Sequence, residues 1–340
     1  MKNKISFASE TYNGVHHKIL EAISEANVGQ AYPYGDDSYT VEAKKILLDE
    51  FQGEELFFAY NGTAANVLAI DSVLDKYHAI LCASTAHINT HETGAPTRMS
   101  ACPIFYVESS DGKFNIEKAK SFLKFLGNKH HSQAKLISIS QITELGTVYT
   151  NEEVKAIADF AHENNMLLHM DGARLCNASI SLGKSLKEIT KDVGVDILSF
   201  GGTKNGLMFG EAVIFFNKKY NEGIDYLIKQ NLQLNSKMRF LSCQFIPYIK
   251  EGLCYENAKN ANKMAKLLEE KLSLINGIEI TQKVEANMIY LKLPSLLIEK
   301  LKEEFLFYPA GDNEIRLVTS FETKEVEVLE FVEKIKLDIG

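Results

Sequence analysis

The chain has 340 residues, 45 % of them hydrophobic and 24 % charged, with a formal net charge of −8. That length suggests about two domains, the apolar share suffices for a core, and the acidic balance argues against a nucleic-acid partner, because phosphate binding needs clustered Lys and Arg. No apolar run approaches a secretory signal or a membrane span, and five scattered cysteines without a CxxC pattern read as free thiols in a reducing, cytoplasmic setting.

Along the chain, strand-like and helix-like segments alternate. ELFFAYNG predicts a strand and TAANVLAIDSVLD a helix; HAILCAS and CPIFYV predict strands, and NIEKAKSFLKFL an amphipathic helix. AKLISISQIT predicts a strand, and NEEVKAIADFAHENN a helix with Asn151 as its N-cap. MLLHMDGA, VDILSFGG and EAVIFF predict further strands. Short runs of Val, Ile, Leu and Phe bounded by helices imply a largely parallel sheet covered on both faces. From about residue 245 the pattern changes: helices including NANKMAKLLEEKLSLI precede the strands GIEITQKV, NMIYLKL and EIRLVTSF, and TKEVEVLEFVEKIKL closes the chain as a helix. The expected organisation is an N-terminal segment over 1–35, a large α/β domain over 36–240 with a mainly parallel sheet, and a smaller α+β domain over 241–340.

In an open α/β sheet, ligands bind outside the carboxyl ends of the strands, so the residues delivered there are the candidates. FFAY delivers NGTAAN, with Gly62 for close approach, the Thr63 hydroxyl and a helix N-terminus that suits a phosphate; a plain turn with a Thr cap is the structural alternative. LLHM delivers Asp171, which needs a cationic partner in apolar surroundings, and Arg174 three residues on is the candidate. ILSF delivers GGTKNG, where Lys204 becomes a nucleophile if desolvated. A phosphate cradle, an acid and a lysine together are what pyridoxal 5′-phosphate requires: an anchor, a carboxylate for its ring nitrogen, and a Schiff-base lysine. His87 in AHINTHETGAP offers a ring to stack on it. His87 and His91 stand i, i+4, but HINTH is not HExxH and supplies no third ligand, so no metal is expected.

These segments in this order — FASETYNGVH, AYPYGDDSYT, FFAYNGTAANVLA, TAHINTHETGAP, HMDGARLCNAS, SFGGTKNGLMFGEAV and EIRLVTSF — resemble the low-specificity L-threonine aldolases, pyridoxal-phosphate enzymes of the aspartate-aminotransferase-like fold (fold type I). The resemblance implies retro-aldol cleavage of L-threonine and L-allo-threonine to glycine and acetaldehyde, with a phenylserine-type aldolase or a β-eliminating lyase as alternatives. It assigns Lys204 to the Schiff base, Asp171 to the pyridine nitrogen, His87 to the ring face, and Gly62, Thr63 and Thr203 to the phosphate. Ser9, Arg174 and Arg316 would hold the substrate carboxylate, with Arg174 also beside the cofactor. Arg239 would contact phosphate across a subunit boundary, and Tyr34 and Asp37 would approach the cofactor, donated by a neighbouring copy in a homo-oligomer (dimer or tetramer) with shared sites. Two departures stand out: Glu144 where many relatives have a histidine, and Glu10 where Asp is common. His87 is the first candidate for the base, Glu144 and Glu92 the second. The glycines around Lys204 are expected to let backbone and cofactor approach closely.

Overall fold

The computed structural model describes residues 4–220 and 223–339. Its strands are β1 (Ile5–Ser6), β2 (Glu55–Ala59), β3 (His78–Ala83), β4 (Ile104–Val107), β5 (Gln133–Ser140), β6 (Leu167–Gly172), β7 (Ile197–Gly201), β8 (Glu211–Phe215), β9 (Glu279–Ile280), β10 (Met288–Lys292), β11 (Phe305–Leu306), β12 (Tyr308–Gly311) and β13 (Glu314–Val318). Seven of them form one sheet in the order β2-β8-β7-β6-β5-β3-β4. All neighbours are parallel except β8, which runs antiparallel to β2 and β7. Every residue of β3, β6, β7 and β8 is buried, as continuous apolar strands require when helices cover both faces.

A second sheet, β12-β13-β10-β9, is antiparallel. Its inward residues Ile289, Leu291, Ile315 and Leu317 form a separate core with Phe7, Phe305 and Phe331. The helix Leu253–Leu272 joins the two: Leu253, Cys254 and Ala258 pack in the large core, whereas Met264, Ala265, Leu268 and Leu272 pack in the small one. No described helix is long and apolar enough to cross a membrane, and all five cysteines are free and buried.

The predicted elements appear with shifted ends. The helix Asn151–Glu163 is capped by Thr150, not Asn151: the Thr150 hydroxyl accepts from the Glu153 amide at 3.2 Å and the Glu153 carboxylate accepts from the Thr150 amide at 2.8 Å. This reciprocal pair satisfies two orphan donors at once. The segment GIEITQKV keeps only Glu279–Ile280 as strand, and β12 lies in the exposed YPAG, whose Pro and Gly carry no strand pattern.

Candidate active site

The carboxyl ends of the parallel strands open into one pocket, and each contributes a different chemistry. After β2 the chain turns into the helix Gly62–Asp71. Its cap is Asn61, not Thr63: Asn61 Oδ1 accepts from the Ala64 amide at 2.9 Å and its carbonyl accepts from Ala65 at 3.0 Å. Of the first helical N–H groups, those of Gly62 and Thr63 have no partner within the helix, as at any helix start, which makes this end suited to an anion. Gly62 lines the pocket; Thr63 faces an adjoining groove with His91 and Gln233.

At the end of β6, Asp171 is buried. Arg174 is not its partner. Asp171 Oδ2 accepts from Asn66 Nδ2 at 2.8 Å and Oδ1 from the Ala173 amide at 3.0 Å. Burial alone would push the carboxyl up; the Lys204 charge, the Asn66 amide, His87 and the Ala173 amide override it and hold the carboxyl below its ordinary range. Asn66 Nδ2 also donates to Glu92 Oε1 at 2.8 Å, and the same oxygen meets His87 Nδ1 at 2.8 Å. The ligating atoms of His87, Glu92 and Asp171 lie within 4.8 Å of one another, and the Asn66 amide bridges the two carboxylates. The His91 ring stacks on that of His87, with centroids 5.6 Å apart. Beneath Asp171 on the same strand, His169 is fully buried, its Nδ1 and Nε2 each 2.9 Å from a hydroxyl, Ser138 on β5 and Ser199 on β7. Burial drives its pKa down to about 4, so the ring is neutral.

After β7 the chain makes a short turn, Thr203–Asn205, that carries Lys204. Lys204 is half-buried and lines the pocket. The Arg174 guanidinium, and then burial, lower its pKa, against the opposing charges of Glu10, Asp171 and Glu211. The room left by the glycines around this lysine is taken up by protein, while the lysine itself faces the pocket. A Cβ on Gly201 would lie 2.6 Å from Ala173 Cα, so that glycine lets the turns after β6 and β7 touch, bringing Asp171 and Lys204 into one pocket. Gly206 has φ +107 and faces Asn257 and His16.

Arg174 instead forms a buried, two-pronged pair with Glu10: Nε to Oε1 at 2.5 Å and Nη2 to Oε2 at 2.9 Å. Asn287 Nδ2, from the small sheet's end, donates to the same Oε1 at 2.7 Å. Arg174 therefore has a carboxylate partner at Nε and Nη2 while it still lines the pocket. Arg316 is different: its Nε is buried without a hydrogen-bond partner, its Nη2 reaches the Ala8 carbonyl at 3.4 Å, and its guanidinium lies 5.3 Å from the Tyr308 ring centroid and beside the Tyr290 hydroxyl. That places a guanidinium with no carboxylate partner next to the residue before Ser9, whose hydroxyl caps the turn Glu10–Tyr12 by accepting from Thr11 N.

Glu144 lines the same pocket as Lys204. Its Oε1 accepts from the His87 amide at 2.8 Å and from the Ser140 hydroxyl at 2.6 Å, and burial raises its pKa. Tyr290 donates its hydroxyl to the Glu144 carbonyl at 2.6 Å. Asp37 has a different task from the one expected: it is a buried N-cap, accepting from the Thr40 amide and hydroxyl, each at 2.8 Å. Tyr34 and Arg239 lie outside this chain's pocket; Tyr34 is exposed under Lys229, and Arg239 Nη1 reaches the Gly29 carbonyl at 3.3 Å.

Asn66, Glu211 and the pairing of Arg174 with Glu10 were not singled out by the sequence. Asn66 had a signal: it is a lone polar residue inside an apolar helix, one turn after Gly62. Glu211 had one too, as the single charge opening a wholly buried strand. Glu10 and Arg174 are 164 residues apart, and nothing local pairs them.

Residues 6–294 match the family model described as beta-eliminating lyase. The chain is 38 % identical to the low specificity L-threonine aldolase of Pseudomonas sp. (strain NCIMB 10558), over 97 % of this chain and 96 % of that one. It is 28 % identical to the Escherichia coli (strain K12) protein of that name, over 96 % of each. Among solved structures, threonine aldolase from Leishmania major superposes with a TM-score of 0.93 at 32 % identity, over 99 % of this chain and 100 % of that one. Aspartate aminotransferase from Thermus thermophilus superposes at a TM-score of 0.70 with 14 % identity, covering 98 % and 91 %, a likeness of fold.

Proposed function

The chain belongs to the β-eliminating lyase family, and from that premise we propose that it uses pyridoxal 5′-phosphate to split L-threonine and L-allo-threonine between Cα and Cβ, giving glycine and acetaldehyde. The observation that carries the reading is the meeting of Lys204, its pKa lowered, with an ionised Asp171 in one pocket. The donor set fits the cofactor. Lys204 would bond its aldehyde carbon, Asp171 its ring nitrogen, His87 its ring face, and the Gly62 and Thr63 amides with Thr203 its phosphate. When bound, it supplies an electron sink for the carbanion left at Cα.

The chain's own residues do the rest. Arg316, with an unpaired Nε and no carboxylate partner, receives the substrate carboxylate, and a planar guanidinium suits that group. The clamp fixes which Cα bond stands across the ring. Glu92 accepts from His87 Nδ1, which leaves Nε2 as the lone pair that takes the β-hydroxyl proton. Glu144, held at Oε1 by two donors, is the second such group lining the pocket. Arg174, already paired, acts by charge on Lys204 rather than as a carboxylate ligand. We assign the face carrying Tyr34, Tyr60 and Leu232, all exposed, together with Arg239, to a second copy in a cytoplasmic homo-oligomer.

The test is release of glycine and aldehyde from L-threonine, L-allo-threonine and L-phenylserine by the cofactor-loaded protein and by Lys204→Ala. Threonine cleavage lost in Lys204→Ala supports the reading. Pyruvate from L-serine without any aldehyde would move it to β-elimination, and release from phenylserine alone would change the substrate.

A further inference from the structure

Glu211 is a buried carboxyl with no part in the steps above. It is the first residue of β8, the antiparallel strand inserted between β2 and β7. In register it stands opposite Ala59, two residues before the Asn61 turn, and opposite Gly201, three residues before Lys204. Topology therefore sets it between the helix N-terminus that would take the phosphate and the lysine that would take the aldehyde carbon. It lines the same pocket as Asn61, Gly62, Asp171 and Lys204. Its Oε2 accepts from the Gly202 amide at 2.8 Å.

The charged groups that face Glu211 are Lys204 from the turn after β7 and Asp171 from the end of β6. The β2 turn presents only Asn61, Gly62 and Thr63. The acid on the helix behind it, Asp71, lies at the other end, roughly 13 Å along the axis. A dianionic phosphate arriving at the Gly62 end would enter the pocket that this carboxylate lines, and the added like charge raises the carboxyl's pKa further.

We propose that Glu211 couples cofactor loading to protonation: ionised, it is a counter-ion of Lys204 in the cofactor-free site, and when the phosphate group enters it takes one proton from solvent and stays as a neutral carboxyl beside it. One O–H bond forms, at Glu211, and nothing else is transferred. Burial, with the Asp171 charge, already pushes its pKa up to about 7, against the Thr203 hydroxyl, the Gly202 amide and Lys204, so a modest added negative charge completes the protonation at neutral pH. Linkage then weakens binding of a phosphate-bearing ligand as pH rises above 7, roughly 20-fold between pH 6.5 and 8.5 when the bound-state pKa exceeds 8.5.

This rests on the cofactor reading, and the test separates the two. Pyridoxine 5′-phosphate and phosphate-free pyridoxine, neither able to bond Lys204, are titrated into the cofactor-free full chain at pH 8 by calorimetry in two buffers of different ionisation enthalpy, which counts protons. The wild type should take up about one more proton with the phosphate-bearing ligand than Glu211→Gln does, and the 20-fold pH slope should flatten in that variant. Equal proton counts in both proteins overturn the inference and leave the cofactor reading intact. Should Glu211→Gln not fold, equal counts for the two ligands in wild type overturn it as well. Failure of pyridoxine 5′-phosphate to bind at all overturns the inference, and failure of pyridoxal 5′-phosphate to bind as well overturns both.

Discussion

Glu10→Gln removes one negative charge from the best-buried ion pair of the site and keeps the shape. In the native chain the Glu10 side chain is 2 % exposed and that of Arg174 13 %. Burial would push the carboxyl up, but the Arg174 guanidinium, its hydrogen bonds, the Lys204 charge and the Asn287 amide bring it down to about 2 from 4.5. A shift of that size is worth about 3 kcal/mol at neutral pH. An uncompensated buried guanidinium costs the same order, about 3–5 kcal/mol. For a chain of 340 residues, the unfolding entropy near Tm is roughly 0.7 kcal/mol per kelvin, so Tm should fall by about 4 °C. The assay is thermal unfolding followed by circular dichroism, both proteins in the same cofactor state. Because the folded-state pKa is depressed, the stabilisation is present above pH 4.5 and lost as pH falls toward 2. The deficit of Glu10→Gln should therefore be full at pH 7 and shrink below pH 4.5. An unchanged Tm at pH 7, or a deficit independent of pH, would refute the argument that this pair is held by charge. Loss of the Glu10 charge should also lower the Lys204 pKa further and move cofactor capture to lower pH.

Arg316→Ala should raise KM for the amino acid at least tenfold while the absorbance of bound cofactor stays, since Arg316 lies outside the cofactor's own pocket; a lost band would reassign it. Asp171→Asn removes the charge that favours a protonated ring and should slow turnover by 100-fold or more; a wild-type rate would remove Asp171 from that role. Glu144→Gln keeps an acceptor at Oε1 for the His87 amide and the Ser140 hydroxyl, so the fold should hold while the ratio of kcat/KM for threonine over phenylserine changes; an unaltered ratio would make Glu144 a wall residue only.

How far the sequence spoke depends on range. Lys204 and Asp171 were legible because each follows an apolar strand directly, and strand ends in an α/β sheet are where side chains meet. Their neutralising partners were not, because pairing is decided across distant elements. Arg174 stands three residues from Asp171 yet turns to Glu10 on the N-terminal segment, and a fixed local spacing cannot express that choice. The glycines near Lys204 were legible as room, but not what fills it: only the packed structure has Ala173 against Gly201. The N-cap slipped by one residue because Thr150 and Asn151 are both good caps, and the Glu153 carboxylate selects the residue three before it. The strand in YPAG was invisible because pairing with β13, not composition, makes it.

The Ser138–His169–Ser199 crossbar has one more consequence. It ties three adjacent strands through side chains directly under Asp171, and its imidazole does not charge above pH 4 or so. His169, beneath Asp171 and outside the residues that line the pocket, therefore changes no charge near neutral pH. A bell-shaped rate profile then does not report on the crossbar, which holds the strand that presents Asp171 in place as the pH is swept.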